Sequence, residues 1–145
     1  MIVEIISAAL GTVAFALLFG VPLKHYLHCG IIGAAGWLMY ILVTLTGVGP
    51  TFAVFFATVV VVLLSRFAAV FNRCPATVFL ITGIFPLVPG AKVYWAAYYL
   101  VTNQIADAAD SGFSAVKAMF AIVLGIIVVF ELPHRVFQWK EKSRD

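Results

Sequence analysis

Apolar residues fall into five long runs, separated by short stretches that are polar or rich in proline and glycine. The runs extend from about Ile2 to Val21, Leu27 to Thr46, Thr51 to Phe71, Ala76 to Ile105 and Phe113 to Leu132. A helix needs about 20 apolar residues to cross a bilayer, and each run is at least that long. This pattern predicts an all-α polytopic membrane protein with about five transmembrane helices.

The fourth run is interrupted by a Pro-x-x-Pro-Gly motif formed by Pro86, Pro89 and Gly90. Each proline removes a backbone donor and crowds the preceding turn, and glycine loosens the chain further. Inside a bilayer, freed backbone groups are tolerated only where they are buried in protein or line a cavity. We therefore predict a fourth helix broken at this motif, with a second half that begins near Pro89. A simple kink, a turn between two helices and a re-entrant pair are the alternatives.

The composition excludes an ordinary soluble domain. Of 145 residues, 64% are hydrophobic and 10% are charged, whereas globular chains are roughly half apolar and about a quarter charged. We predict a single transmembrane helical domain over residues 1–132, followed by a basic cytoplasmic tail over residues 133–145. The net charge of +3 arises from loop and tail residues and requires no nucleic-acid partner.

The basic residues predict the orientation. Lys24 and Arg73 follow the first and third runs, and four more basic residues lie in the tail. The opposite side carries Lys117 and a predicted acidic loop over residues 107–112. The positive-inside rule then places the N-terminus outside and the C-terminus in the cytoplasm, and it favours a single crossing for the fourth run. Arg66, near the end of the third run, is interpreted as an anchor that extends to the interface.

The first turn after the break is the candidate ligand site. Gly90 and Ala91 would present amide groups that have no partner inside the helix, together with the partial positive charge of the helix dipole. A carboxylate is the natural counter-group, and Lys92 adds a full positive charge.

A polar stripe follows this turn on a helical projection. Lys92, Tyr99 and Asn103 share one face, and Asp107 is close by. The stripe could bind an amino acid, with Tyr99 or Asn103 contacting a hydroxyl group and Asp107 contacting the ammonium. Alternatively, Lys92 lies near the interface or pairs with an acid on a neighbouring helix, because a cation is otherwise unfavourable at a helix N-terminus.

Other chemistry receives little support from the sequence. His25, His28 and Cys29, with Cys74 in another loop, could supply metal ligands, but histidines at a membrane surface are more often interfacial residues. No nucleophile–base–acid order, phosphate-binding glycine loop or carboxylate pair stands out. We therefore predict no metal, no cofactor and no enzymatic activity.

The interrupted motif, with Tyr94 following it, resembles the Pro-x-x-Pro-Gly signature of the threonine/serine exporter family. More specifically, the chain is similar to the C-terminal membrane half, which is a separate small subunit in many bacteria. The resemblance implies proton-driven export of hydroxylated amino acids and a larger partner subunit. It carries over only Pro86, Pro89, Gly90 and Tyr94, since Lys92 departs from the pattern.

We thus predict a multi-pass subunit of an exporter in the bacterial inner membrane, with lipid, a small amino or carboxylic acid and a larger membrane subunit as its partners. A dicarboxylate (succinate) exporter subunit and a non-transporting membrane scaffold are the alternatives. The predicted substrate-binding residues are Pro86, Pro89, Gly90, Ala91, Lys92, Tyr94, Tyr99, Asn103 and Asp107.

Overall fold

A computed structural model describes residues 1–131, so the predicted tail lies outside the described residues. Over that range the chain is helical, without β-strands, which confirms the predicted all-α class. The α-helices are α1 (Ile2–Leu18), α2 (Tyr26–Leu45), α3 (Pro50–Asn72), α4 (Thr77–Ile84), α5 (Gly90–Val101) and α6 (Ile105–Glu131). Short 3-10 helices precede α2 (Leu23–His25) and follow α4 (Phe85–Leu87).

Three helical segments are individually long and apolar enough to cross a membrane: Leu23–Leu45, α3 and α6. The segments Thr77–Leu87 and Gly90–Val101 meet this condition only together, and they are bent by 49°. Helix α1 has 17 residues and so rises about 25 Å, less than the ~30 Å of a hydrocarbon core. The structure therefore contains three spans, or up to four if the bent pair is one, and the predicted count of five is not confirmed.

Helix α3 forms the centre of the bundle and packs against α2, α4 and α6, while α1 lies against α2. Glycines allow these close approaches. A Cβ atom at Gly83 would lie 2.8 Å from Ile32 Cγ2, and one at Gly125 would lie 2.9 Å from Thr58 Cβ. Small residues of this kind let backbones approach in lipid, where packing replaces the hydrophobic driving force.

The predicted acidic loop over residues 107–112 is wrong, because these residues form the first turns of α6. Helix α5 ends at Val101, and Asn103 adopts the left-handed conformation (φ 62°) that reverses the chain. Asp107 then lies in the first turn of α6, where its charge complements the helix dipole. Gly112 faces Ala96 of α5, and a Cβ atom added there would make an ordinary contact 4.0 Å from Ala96 Cβ.

Arg66 is not the interfacial anchor that the sequence predicted. Its side chain turns inward and is 6% exposed, its Nη1 donates to the Val129 carbonyl at 2.6 Å, and its guanidinium lies 5.4 Å from the centre of the Phe130 ring. Residue 133, four positions after Val129, is proline and has no N–H to donate. Arg66 therefore supplies a donor to a carbonyl that the helix itself cannot satisfy.

Candidate functional site

The interruption between α4 and α5 coincides with the Pro-x-x-Pro-Gly motif, and a single broken span there stays a prediction. Helix α4 ends at Ile84, the 3-10 helix Phe85–Leu87 follows, and Val88 is extended (φ −63°, ψ 127°) before α5 begins at Gly90. Phe15 of α1 stacks on Phe85 with ring centroids 3.7 Å apart. The interruption is therefore held from one side by an aromatic contact, and α5 leaves it in a different direction from α4.

The first turn of α5 presents backbone donors. The Gly90 amide donates to the Val88 carbonyl at 2.7 Å, and the Val93 amide donates to the Pro89 carbonyl at 3.1 Å. No side chain caps this helix in the described structure. The amides that follow Gly90, those of Ala91 and Lys92, have no acceptor within the helix and lie at the positive end of its dipole.

A cavity of about 250 Å³ lies beside this turn. Four parts of the chain meet there: the C-terminal half of α2, the start of α3, the interruption with the first turn of α5, and the middle of α6. The lining residues are Trp37, Tyr40, Pro50, Thr51, Val54, Pro86, Leu87, Val88, Pro89, Gly90, Ala91, Lys92, Ser114 and Ala118. The cavity is smaller than the ~300–1,000 Å³ pockets that hold drug-sized ligands, so it suits a small solute.

Polar groups from three other helices reach this cavity. The Trp37 indole Nε1 is buried and has no hydrogen-bond partner within residues 1–131, and its ring lies 5.1 Å from that of Tyr40. Thr51 and Ser114 bring hydroxyl groups to the same lining. The sequence did not predict these residues as part of the site, because they converge only through tertiary packing. The indole N–H is enclosed in a side chain that lines the cavity, so a turn of the ring would offer it to a bound molecule.

Lys92 lines the cavity and is exposed. Within residues 1–131 an ion pair occurs in which the N-terminal nitrogen of Met1 lies 3.3 Å from Glu4 Oε1. The predicted alternative in which Lys92 pairs with an acid of a neighbouring helix therefore has no counterpart within residues 1–131. Its positive charge adds to that of the α5 N-terminus instead of opposing a carboxylate.

The structure divides the predicted site residues into two groups. The residues at the cavity are Pro86, Pro89, Gly90, Ala91 and Lys92, and those outside its lining are Tyr94, Tyr99, Asn103 and Asp107. Helices α5 and α6 form an antiparallel hairpin, and Asn103 and Asp107 lie at the end of it that is away from the cavity. A role for these four residues in substrate binding stays a prediction.

Gly90 is not required by the packing of this chain. A Cβ atom added there would meet no other heavy atom within 4 Å. Gly83, on the other side of the interruption, has Ile32 and Val61 at contact distance. Space at Gly90 therefore remains for a molecule that this chain does not itself supply.

Comparison with known proteins gives the family. The sequence model described as "Threonine/Serine exporter, ThrE" matches residues 4–131. The chain is also 30% identical over 128 residues to an uncharacterized protein of Haemophilus influenzae, which covers 86% of this chain and 43% of that protein. This chain thus spans less than half the length of this relative. No solved structure matches this chain. The family match over nearly all of the described helices shows that this chain belongs to the threonine/serine exporter family, a family of membrane transporters.

Proposed function

We propose that this chain is one subunit of a secondary transporter that exports small hydroxylated amino acids, such as threonine and serine, across the bacterial inner membrane. Export is coupled to protons and requires a larger membrane subunit. The N-terminus lies outside, the C-terminus is cytoplasmic, and the interrupted segment α4–α5 is a single broken crossing. The cavity at the interruption is the solute site.

The observation that carries this proposal is the convergence of unused donors at the cavity. Ala91 and Lys92, whose amides have no acceptor in the helix, line the cavity, and so does Trp37, whose enclosed indole N–H has no partner within residues 1–131. A solute carboxylate would be stabilised by the helix N-terminus and the ammonium together, since both favour negative charge. The hydroxyl groups of Thr51 and Ser114 suit the side-chain hydroxyl of threonine or serine.

Two observations support the dependence on a partner: the exposed surface of α5, and the length of this chain compared with that of its relative. No residue of α5 is buried, although the helix is rich in aromatic and apolar side chains. The chain corresponds to 43% of its Haemophilus influenzae relative, so the rest of that protein has no counterpart here. Broken membrane helices at transport sites are often placed at the interface between two halves that move against each other. A larger subunit that packs on α5 would complete such an arrangement.

A second candidate solute is a dicarboxylate such as succinate. Of the ionisable side chains that line the cavity within residues 1–131, Lys92 is cationic and none is a carboxylate. Asp107, which was predicted to bind the ammonium of an amino acid, does not line the cavity. This charge pattern favours a solute that carries negative charge without an ammonium group, unless the larger subunit provides the acid.

A third candidate is a non-transporting scaffold, in which the interruption only shapes a docking surface. The lack of buried residues in α5 favours this alternative to the same degree that it favours a partner subunit. The two differ in what the cavity does, because a scaffold has no need of a solute there.

The test is efflux from proteoliposomes that contain the assembled complex. The larger subunit is sought first among membrane proteins encoded beside this gene. Vesicles are loaded with labelled threonine, serine or succinate, and retention is measured with both subunits and with each alone. We expect at least one solute to leave faster only when both subunits are present. Equal retention of all three solutes in every preparation would overturn the proposal in favour of the scaffold.

A further inference from the structure

Two histidines lie at the end of the bundle opposite the cavity. His25 closes the 3-10 helix before α2 and is 3% exposed, and His28 lies in the first turn of α2. Their ring centroids are 6.4 Å apart. The His25 centroid lies 5.4 Å, and the His28 centroid 6.1 Å, from the ring centroid of Phe79 in α4. The two imidazoles therefore pack together on the same aromatic side chain.

Both imidazoles carry a buried nitrogen without a partner. The Nδ1 atoms of His25 and His28 are enclosed and form no hydrogen bond within residues 1–131. Buried polar atoms are nearly always satisfied, and leaving one unsatisfied costs roughly 1–3 kcal/mol. Two such atoms on neighbouring titratable rings need a reason that packing does not provide. A neutral imidazole has one nitrogen that can accept a proton, which is the chemistry these rings offer.

The surroundings of the pair are basic or neutral. Lys24 precedes His25 in the chain, the side chain of Asn72 in α3 is in hydrogen-bonding range of His25, and α4 contributes Phe79. Within residues 1–131 no carboxylate forms an ion pair with either ring, and no group of three potential metal ligands occurs. Among residues 1–131 the pair therefore has neither the ligands of a metal site nor a carboxylate that would hold a permanent imidazolium.

We propose that His25 and His28 form a proton-binding site whose occupancy controls the packing of α4, and that this site couples protons to transport. The inference rests on the proposed function for its role in transport. An imidazolium enclosed by apolar side chains would lose its hydration, and His25, at 3% exposed, is the enclosed ring of the pair. When water reaches this end of the bundle, one proton binds to the pair and the rings leave Phe79. When the end closes again, the proton is released.

The position of Phe79 explains how proton binding reaches the solute site. Phe79 is fully buried in α4, and α4 leads directly into the interruption at Phe85 and the first turn of α5. A displacement of the first turn of α4 would therefore reach the cavity through α4 and the 3-10 helix that follows it, whose Pro86 and Leu87 line the cavity. The proton site and the solute site are thus two distinct sites joined by one segment of the chain, through which each could bias the other.

The first experiment measures the assembled exporter in proteoliposomes. Net threonine efflux is recorded while the pH on the side of His25 is varied from about 5.5 to 8, a range that spans the usual titration of histidine. We expect the wild-type rate to change at least fivefold. His25→Gln and His28→Gln should reduce that change to less than twofold, while threonine exchange at equal pH stays within twofold of wild type. Tyr26→Phe is the control in the same turn and should keep the wild-type pH response.

The second experiment does not depend on transport. The melting temperature of the purified chain is measured from pH 8 to pH 5. If the pair binds its proton only when it is opened, proton binding favours the opened and unfolded states, so the wild type should lose several degrees as pH falls. The double variant His25→Gln, His28→Gln should lose that pH dependence. An unchanged pH dependence in the double variant would overturn the proton site, whereas absence of transport in the wild type with this dependence intact would overturn only the proposed function.

Discussion

Helices α4 and α5 belong to one apolar segment, yet they differ in how far the rest of the chain buries them. Four of the eight residues of α4 are buried, and the helix packs against both α2 and α3. None of the twelve residues of α5 is buried, and its extensive contacts within the described chain are with α6. The interruption between them is therefore also the boundary between a part that this chain holds in place and a part that it leaves exposed.

The difference shows what hydrophobicity alone does not specify. Both helices are apolar, but a Cβ atom at Gly83 of α4 would overlap Ile32 and Val61, whereas one at Gly90 of α5 would meet no heavy atom within 4 Å. Helix α5 carries large aromatic residues instead, and Tyr94, Trp95 and Tyr98 are each at least 46% exposed. Rings of this kind are typical of membrane interfaces and of surfaces that bind partners. Helix α4 thus packs within this chain, whereas α5 exposes a surface suited to lipid or to a partner.

The strongest contrast should come from paired alanine substitutions. Phe79→Ala removes a fully buried ring of α4 and should lower the free energy of unfolding toward the lower end of ~3–5 kcal/mol, since lipid also solvates the unfolded side chain. Trp95→Ala on α5 should change it by less than about 0.5 kcal/mol. Denaturant titration in detergent measures both. Similar losses for the two variants would show that α5 is as firmly packed as α4.

Lys92→Gln tests the charge at the start of α5. If the ammonium binds a carboxylate, its loss removes about 1.5–3 kcal/mol and weakens solute affinity by roughly 10- to 100-fold. Binding of labelled threonine and succinate to the purified complex measures the effect. Lys117→Gln is the matched control, because Lys117 lines a different groove and should change affinity less than twofold. Unchanged affinity in Lys92→Gln would remove Lys92 from the site.

Gly83→Leu tests the close packing of α4. The new side chain would meet Ile32 and Val61 and should destabilise the chain by about 1–3 kcal/mol. Gly11→Leu in α1 is the control, since a Cβ there meets nothing within 4 Å. The melting temperatures of the two variants give the comparison. Equal values would mean that the α2–α3–α4 contact is looser than described.

Trp37→Phe removes the unpartnered indole N–H of an α2 residue that lines the cavity beside the first turn of α5. Its loss should change the stability of the chain little, because the N–H has no partner to lose. It should weaken solute binding by about 0.5–1.5 kcal/mol, roughly two- to tenfold, if a solute accepts that hydrogen bond. Trp95→Phe, outside the cavity, should leave affinity unchanged. Equal affinity in both variants would show that the indole serves packing alone.

The helix boundaries around the motif could be expected from the sequence because proline acts locally, whereas a single broken span stays a prediction. Pro86 and Pro89 limit their own backbone and that of their neighbours, so a helix boundary there follows without knowledge of the fold. The end of α5 was missed, since the reversal at Asn103 depends on the packing of α5 against α6. The inward turn of Arg66 was missed although a signal existed: Pro133 leaves the Val129 carbonyl without a donor.

Only the part of the candidate site that lies on α5 could be predicted. Gly90 belongs to the motif and Ala91 and Lys92 come directly after it, so helix geometry predicts that their amides are free. Trp37 lies on another helix, and nothing in its local sequence indicates that its side chain lines the same cavity. Long-range convergence of this kind is decided by helix packing, which the hydrophobic pattern does not specify.

The most direct test of the account uses Gly90→Leu in the assembled exporter. The substitution places a side chain in open space, so the chain should fold and bind its larger subunit as the wild type does. If the first turn of α5 holds the solute, the same variant should lose most of its threonine or succinate efflux. A Gly90→Leu complex that assembles normally and exports at the wild-type rate would contradict the claim that the interruption forms the transport site.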